Sequence, residues 1–125
     1  ILTMLKEGLS HTSRMTVCGN HSAKALGSGD LEVCGTPAMM ALMENAAMLA
    51  VADNLPKGYT TVGGHIESSH LKPTKVGHEV EATAILTKID GKKLYFTIEA
   101  REDDLVIGRG THLRFVVHRD KFMNF

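Results

Sequence analysis

Thr36-Pro37-Ala38-Met39-Met40-Ala41-Leu42-Met43-Glu44-Asn45-Ala46-Ala47-Met48-Leu49-Ala50-Val51-Ala52 is the stretch that decides the architecture of this chain. Ala, Leu and Met are strong helix formers, and after Pro37 no Gly or Pro interrupts the run. Thr36 reads as an N-cap and Pro37 as the first helical residue, where a missing N–H costs nothing. Asp53-Asn54, then Pro56 and Gly58, supply the stop. Apolar residues run nearly all the way round, so the helix has to be covered on most sides rather than half solvated.

Downstream the period changes from that of a helix to two. Tyr59 to Leu71 is one long extended segment, and Val80, Ala82, Ala84 and Leu86 alternate with polar neighbours. Asp90-Gly91 marks a hairpin, after which Leu94, Phe96, Ile98 and Ala100 resume the alternation. Asp103-Asp104 turns the chain into a last strand from about Leu105 to His118. Upstream, Ser13 to Cys18 reads as a short strand, Gly27 to Asp30 as a loop, and Leu31 to Cys34 as a second extended piece. One long central helix followed by long antiparallel strands predicts an α+β class, with a curved sheet wrapped around the helix. That is the hotdog fold, in one domain over residues 1–125. A single small sheet leaves helix surface and sheet edges unprotected, and pairing of two copies into a continuous sheet would solve both problems.

Of 125 residues, 43% are apolar and 22% charged, which is ordinary for a globular chain long enough for one core. Lys+Arg and Asp+Glu balance at 14 each, so neither nucleic acid nor an anionic membrane surface is an expected partner. No apolar run reaches membrane-spanning length. Ile1 to Gly8 holds no apolar core of signal-peptide size. Cys18 and Cys34 have no metal-type spacing and read as reduced thiols, which points to a cytoplasmic protein.

Glu44 is the chemical oddity of the helix, because its neighbours at i±3 and i±4 are Met40, Ala41, Ala47 and Met48. A carboxylate among apolar groups is costly unless it is hydrogen-bonded or protonated, and a group so tuned suits general-base work. It could equally lie with Asn45 on a narrow solvated stripe, or serve structurally at a dimer seam. Thr36, at the helix N-terminus, sits where free N–H groups could stabilise a developing oxyanion. It is eight residues from Glu44, about 12 Å along the axis, too far for direct contact within one chain. Of seven histidines, His65 and His70 share the first long strand but are five apart, so at most one faces a common site. No zinc pattern, P-loop, dinucleotide fingerprint or nucleophile elbow occurs, and no metal is expected.

Thr36 to Glu44, Val62-Gly63-Gly64-His65, Ser69-His70 and Gly110-Thr111-His112-Leu113-Arg114 together resemble the hotdog thioesterases related to fluoroacetyl-CoA thioesterase, from about Ser28 to Phe122. The resemblance implies hydrolysis of an acyl-CoA thioester, with Thr36, Glu44 and His70 as the catalytic set. It also implies a substrate-binding neighbourhood that includes Gly63, Gly64 and Arg114. No cofactor is implied beyond the coenzyme A of the substrate. A homodimer, or a tetramer, with the site at the subunit interface would reconcile the separation of Thr36 and Glu44. The family's aromatic-bearing lid corresponds to Ala25 to Asp30, which has no aromatic residue, so a different or broader acyl group is expected. A hotdog enoyl-CoA hydratase or dehydratase, and a non-catalytic acyl-CoA binding module, are the alternatives. Lys72, Lys75 and Arg109 are the cations considered for the nucleotide end of coenzyme A.

Overall fold

The computed structural model describes residues 4–125, so the first three residues of the expected 1–125 span lie outside the described residues. In chain order come strand β1 (Ser10–Thr16), a 3-10 turn (Gly19–His21), helix α1 (Ala23–Leu26) and the long helix α2 (Thr36–Ala52). Strands β2 (Tyr59–His70), β3 (Glu79–Asp90), β4 (Lys93–Glu102) and β5 (Leu105–His118) follow, then the short helix α3 (Arg119–Phe122). The strands form one antiparallel sheet of order β1-β3-β4-β5-β2. This is the α+β hotdog arrangement expected from the helix-then-strands pattern.

The period-two residues behave as the alternation demands. Val80, Ala82, Ala84 and Leu86 of β3 and Leu94, Phe96, Ile98 and Ala100 of β4 all point into the core. Against them α2 buries Ala38, Met39, Leu42, Met43, Ala46, Ala47, Ala50 and Val51. Small residues under the helix let it lie close to the sheet. At Gly108 an added Cβ would come within 2.9 Å of Met39 Cε and closer still to its sulfur.

The sheet does not cover the helix all round. Ala41, Asn45 and Leu49 remain exposed, flanked by half-buried Met40, Glu44 and Met48. One stripe of α2 therefore stays open, largely apolar but carrying Glu44 and Asn45. No helix of the described residues is long and apolar enough to cross a membrane.

Four details differ from the sequence reading. Gly35, not Thr36, is the N-cap: its backbone is extended, and its carbonyl accepts from Ala38 N–H at 3.0 Å and Met39 N–H at 3.1 Å. Thr36 and Pro37 are thus the first two helical residues, where proline still sacrifices no hydrogen bond. Strand β1 begins three residues earlier than expected. Its buried centre is Ser13, which donates to Asn45 Oδ1 at 2.7 Å, so a polar residue hides the alternation. Helix α1 is too short for a periodic signature; it is capped by Ser22 Oγ, accepting from Ala25 N–H at 3.1 Å, and closed by Gly27 at φ 77°. Leu31 to Cys34 contributes only isolated bridges, Ser22 with Cys34 and Val33 with Lys75.

Gly110 lies where β5 crosses close to β2, and a Cβ there would run into the Glu67 carbonyl and the Ser68 backbone. Backbone cannot rotate away as a side chain can. Gly110→Ala should therefore destabilise the fold by about 1–3 kcal/mol, the usual cost of overpacking. A lower urea midpoint at unchanged slope is the expected reading.

Candidate active site

The candidate residues fall into two groups, one at the start of α2 and one about two turns further along its open stripe. At the helix start, Thr36 has no capping duty, and its Oγ1 is hydrogen-bonded to His70 Nδ1 at 2.9 Å. His70 is the last residue of β2 and reaches across from the sheet to the helix terminus. The pair lines a cleft of about 340 Å³ together with Ala23, Ser28, Cys34 and Lys72. Burial holds the His70 imidazole below its ordinary pKa of 6.5, with the backbone at Lys72 working against that shift. Its Nε2 is buried and makes no hydrogen bond of ordinary length. Burial pushes the Cys34 thiol up, so it stays protonated and is a poor nucleophile.

Two turns further along, Glu44 hangs over the sheet at the one place where β2 has no side chain. A Cβ on Gly63 would stand 2.9 Å from Glu44 Oε2 and 3.4 Å from His112 Cε1. Gly63 is what permits this close approach. Gly64 follows as the extra residue of a β-bulge, where the register jumps from Gly63–Arg114 to His65–Leu113. A Cβ on Gly64 would collide with the Phe115 ring rather than meet Glu44. Among the substrate-binding candidates, Gly63 and Arg114 thus face the carboxylate, and Gly64 shapes the strand beside them.

Arg114 is 6% exposed. Its Nε donates to Thr61 Oγ1 at 2.8 Å, its Nη2 to the Thr61 carbonyl at 3.0 Å, and its Nη1 to His112 Nε2 at 3.2 Å. Nη1 also stands 4.0 Å from Glu44 Oε2, as does His112 Nε2. The Glu44 side chain is 41% exposed, so it opens outward from this buried cationic floor rather than being sealed in an apolar helix. His112 is neutral by elimination. A carbonyl can only accept, so Nδ1 donates to the His65 carbonyl at 2.6 Å; a guanidinium can only donate, so Nε2 accepts. Burial, assisted by Arg114, lowers its pKa from 6.5, while the His65 backbone and Glu44 pull the other way.

Sequence reasoning named Arg114 and passed over His112, although the two stand at i and i+2 of one strand and so share a face. Two polar residues on consecutive inward positions, next to buried Val116, were the available signal. The same parity removes Arg109, which lies on the opposite, outer face and pairs with Glu99 at 3.2 Å. His65 likewise points outward, to Glu67 at 3.1 Å. Lys72 does reach the Thr36 cleft. Among the described residues no three His, Cys, Asp or Glu side chains gather as a metal site would require.

Comparison with known proteins places these residues in a context. The family described as "Fluoroacetyl-CoA-specific thioesterase" matches residues 17–120. A fluoroacetyl-CoA thioesterase of Streptantibioticus cattleyicolor is 37% identical over 91 residues, covering 73% of this chain and 66% of that protein. A crystallised variant of the fluoroacetyl-CoA thioesterase in complex with acetyl-CoA superposes with a TM-score of 0.89 at 30% identity, covering 94% of this chain and 93% of that one. A hot-dog-like protein from Thermanaerovibrio acidaminovorans, at 21% identity and a TM-score of 0.86 over 96% of this chain and 89% of that one, shares the fold.

The two lowered histidines make stability depend on pH in a stated direction. Each binds its proton more weakly in the fold than in the unfolded chain, so their contribution is complete above 6.5 and is lost as pH falls below it. The urea midpoint should drop as pH falls through that value, and His70→Gln and His112→Gln should each flatten part of the slope. An acid slope indifferent to both substitutions would contradict the two assignments.

Proposed function

The chain belongs to the fluoroacetyl-CoA-specific thioesterase family, and on that footing we propose that it hydrolyses an acyl-CoA thioester to the free acid and coenzyme A, using Thr36, Glu44 and His70 at the interface of a homodimer. The observation that carries this reading is the setting of Glu44, a carboxylate aimed outward over side-chain-free Gly63 and backed by the buried Arg114. A carboxylate with room in front of it can activate a water or attack the thioester carbonyl itself.

Little acid assistance is needed at the leaving group, because thiols have pKa values near about 8.5 and depart readily as thiolates. The Thr36 hydroxyl, held by His70, is suited to orient the thioester. His70, at the cleft beside Thr36, is suited to polarise the carbonyl or pass a proton. Gly63 and Arg114 would bound the carbonyl's position, with Gly64 setting the strand's path. Coenzyme A enters as part of the substrate, and Lys72 at the cleft is the cation placed to meet it. The cleft wall from Ala23 and Ser28 bears no aromatic side chain, which favours an acyl group broader than fluoroacetyl. A cytoplasmic location goes with such substrates and with the two free cysteines.

The homodimer follows from what one chain leaves uncovered. The open stripe of α2 presents Met40, Ala41, Met48 and Leu49, and β2 is an edge strand beside it. A second copy laid on that side would bring its Thr36 and His70 toward this chain's Glu44.

Glu44→Gln should lower thioesterase kcat by about 10²-fold or more, read as free thiol released from an acyl-CoA panel. Parental turnover in that variant would refute the proposed role. Mixing Glu44→Gln with Thr36→Ala protein under exchange conditions should restore activity that neither variant has alone, because one of the two shared sites then has both residues. No recovery from verified mixed dimers would place both residues in one chain's site. Single turnover in ¹⁸O water tests the chemical route: label appearing in Glu44 marks attack by the carboxylate and rules out direct attack by water as the sole route.

A further inference from the structure

His112 takes no part in the chemistry above, yet it sits between every component that faces Glu44. We infer that His112 is a positioning residue: its Nε2 fixes the Arg114 guanidinium that backs Glu44, and its Nδ1–H clamps the β2 bulge that brings Gly63 beneath the carboxylate. The inference rests on the proposed role of Glu44.

The geometry leaves His112 one competent form. Nδ1 must carry the proton to satisfy the His65 carbonyl at 2.6 Å, and Nε2 must be bare to accept from Arg114 Nη1 at 3.2 Å. Its side chain is almost wholly buried, so neither contact has water as a substitute. The first contact ties β5 to β2 one residue past the bulge. The second sets the torsion of a guanidinium whose other two donors are anchored on Thr61. With three donor atoms committed, Nη1 is held 4.0 Å from Glu44 Oε2. Without His112 the guanidinium would keep its two bonds to Thr61, but Nη1 would lose the acceptor that helps hold it toward the carboxylate.

Protonation reverses the second of these effects and leaves the Nδ1–H contact to the His65 carbonyl in place. Nε2–H would oppose Arg114 Nη1–H, donor against donor. It would also be attracted to Glu44 Oε2, 4.0 Å away, and draw the carboxylate down onto the floor and away from a substrate. The groups facing His112 are Glu44 from α2, Arg114 from its own strand, the His65 carbonyl from β2 and the Phe96 ring from β4 at a centroid distance of 6.3 Å. The His65 side chain itself points outward to Glu67. One acid limb of the kcat profile therefore belongs to His112, with activity retained while the ring is neutral and lost as it protonates. The depression of its pKa by burial puts that limb below 6.5.

The test compares kcat, KM and the kcat–pH profile of His112→Phe, His112→Gln and the parent protein, together with imidazole ¹⁵N NMR of the parent. His112→Phe should lower kcat by roughly 10- to 10²-fold, the scale of a misplaced catalytic geometry, with KM near parental. His112→Gln, whose amide oxygen can accept from Arg114, should recover part of kcat, and both variants should lose the limb assigned to His112. The NMR spectrum at neutral pH should show a neutral ring protonated at Nδ1. Parental kcat and profile in His112→Phe, or a ring protonated at Nε2, would overturn the inference. If His112→Phe fails to fold, the glutamine variant and the tautomer decide it. Should Glu44→Gln keep full turnover, the Glu44 reading fails by itself, and the NMR tautomer still judges the clamp.

Discussion

An apolar surface that runs nearly round a helix cannot be satisfied by one sheet, and most of this structure follows from that constraint. The five strands curl over α2 and bury the side bearing Met39, Met43, Ala46 and Ala47. What they cannot reach is the stripe through Met40, Ala41, Glu44, Asn45, Met48 and Leu49. Buried apolar area is worth roughly 25 cal/mol per Å², so leaving such a stripe in water forgoes stabilisation that a partner surface would recover. The candidate site lies along the border of that stripe. Thr36 and His70 occupy one end, and Glu44 with Arg114 lies two turns away. The need to cover the helix and the place where substrate could enter are therefore the same feature of the fold.

The chemistry proposed for the site rests on a buried cation, Arg114, whose guanidinium nitrogens are all engaged. Desolvating a guanidinium costs several kcal/mol unless its donors are paired. At Arg114 the Thr61 hydroxyl and carbonyl, the His112 ring nitrogen and the Glu44 carboxylate divide that task. Glu44 alone among these partners is partly open to solvent. The arrangement gives a carboxylate with charge support behind it and free space in front. Gly63 allows the approach, because any side chain there would fill the space in which Oε2 sits. His70 and His112, both neutral by burial, add ring nitrogens without adding charge that would compete for the carboxylate.

Much of the fold was legible in the residues because the relevant signals are local. Helix α2 declares itself through a fifteen-residue run after Pro37 made mostly of Ala, Leu and Met, and its end through Asp53-Asn54 and Pro56. Strands β3 and β4 follow the alternation of Val80 to Leu86 and Leu94 to Ala100, with Gly91 at φ 61° between them. β1 was placed less well, since its inward residue is Ser13 and its partner Asn45 lies thirty-two residues away. The cap was misassigned for a related reason. Thr36 has the right side chain for an N-cap, but its hydroxyl is committed to His70, and Gly35 takes the turn instead. The short helix α1 rests on one serine and one glycine, too little for any period to show.

The sequence by itself determined which residue types were available and on which face of each element they would fall. Periodicity of 3.6 or two is a property of neighbouring residues, and it needs no knowledge of the rest of the chain. It placed Glu44 among apolar neighbours, set His65 and His70 on opposite faces, and kept Thr36 about two turns from Glu44. Only the tertiary structure decided what those faces meet. That Gly63 lies under Glu44, that Arg114 is buried against Thr61, and that His112 joins Arg114 to the bulge depend on the β2–β5 register and on the one-residue shift at Gly64. Register comes from packing between segments distant in sequence, so no local pattern can specify it. Glu44 entered as an isolated carboxylate in an apolar helix, and the sheet beneath it supplied the partners on which its proposed role rests.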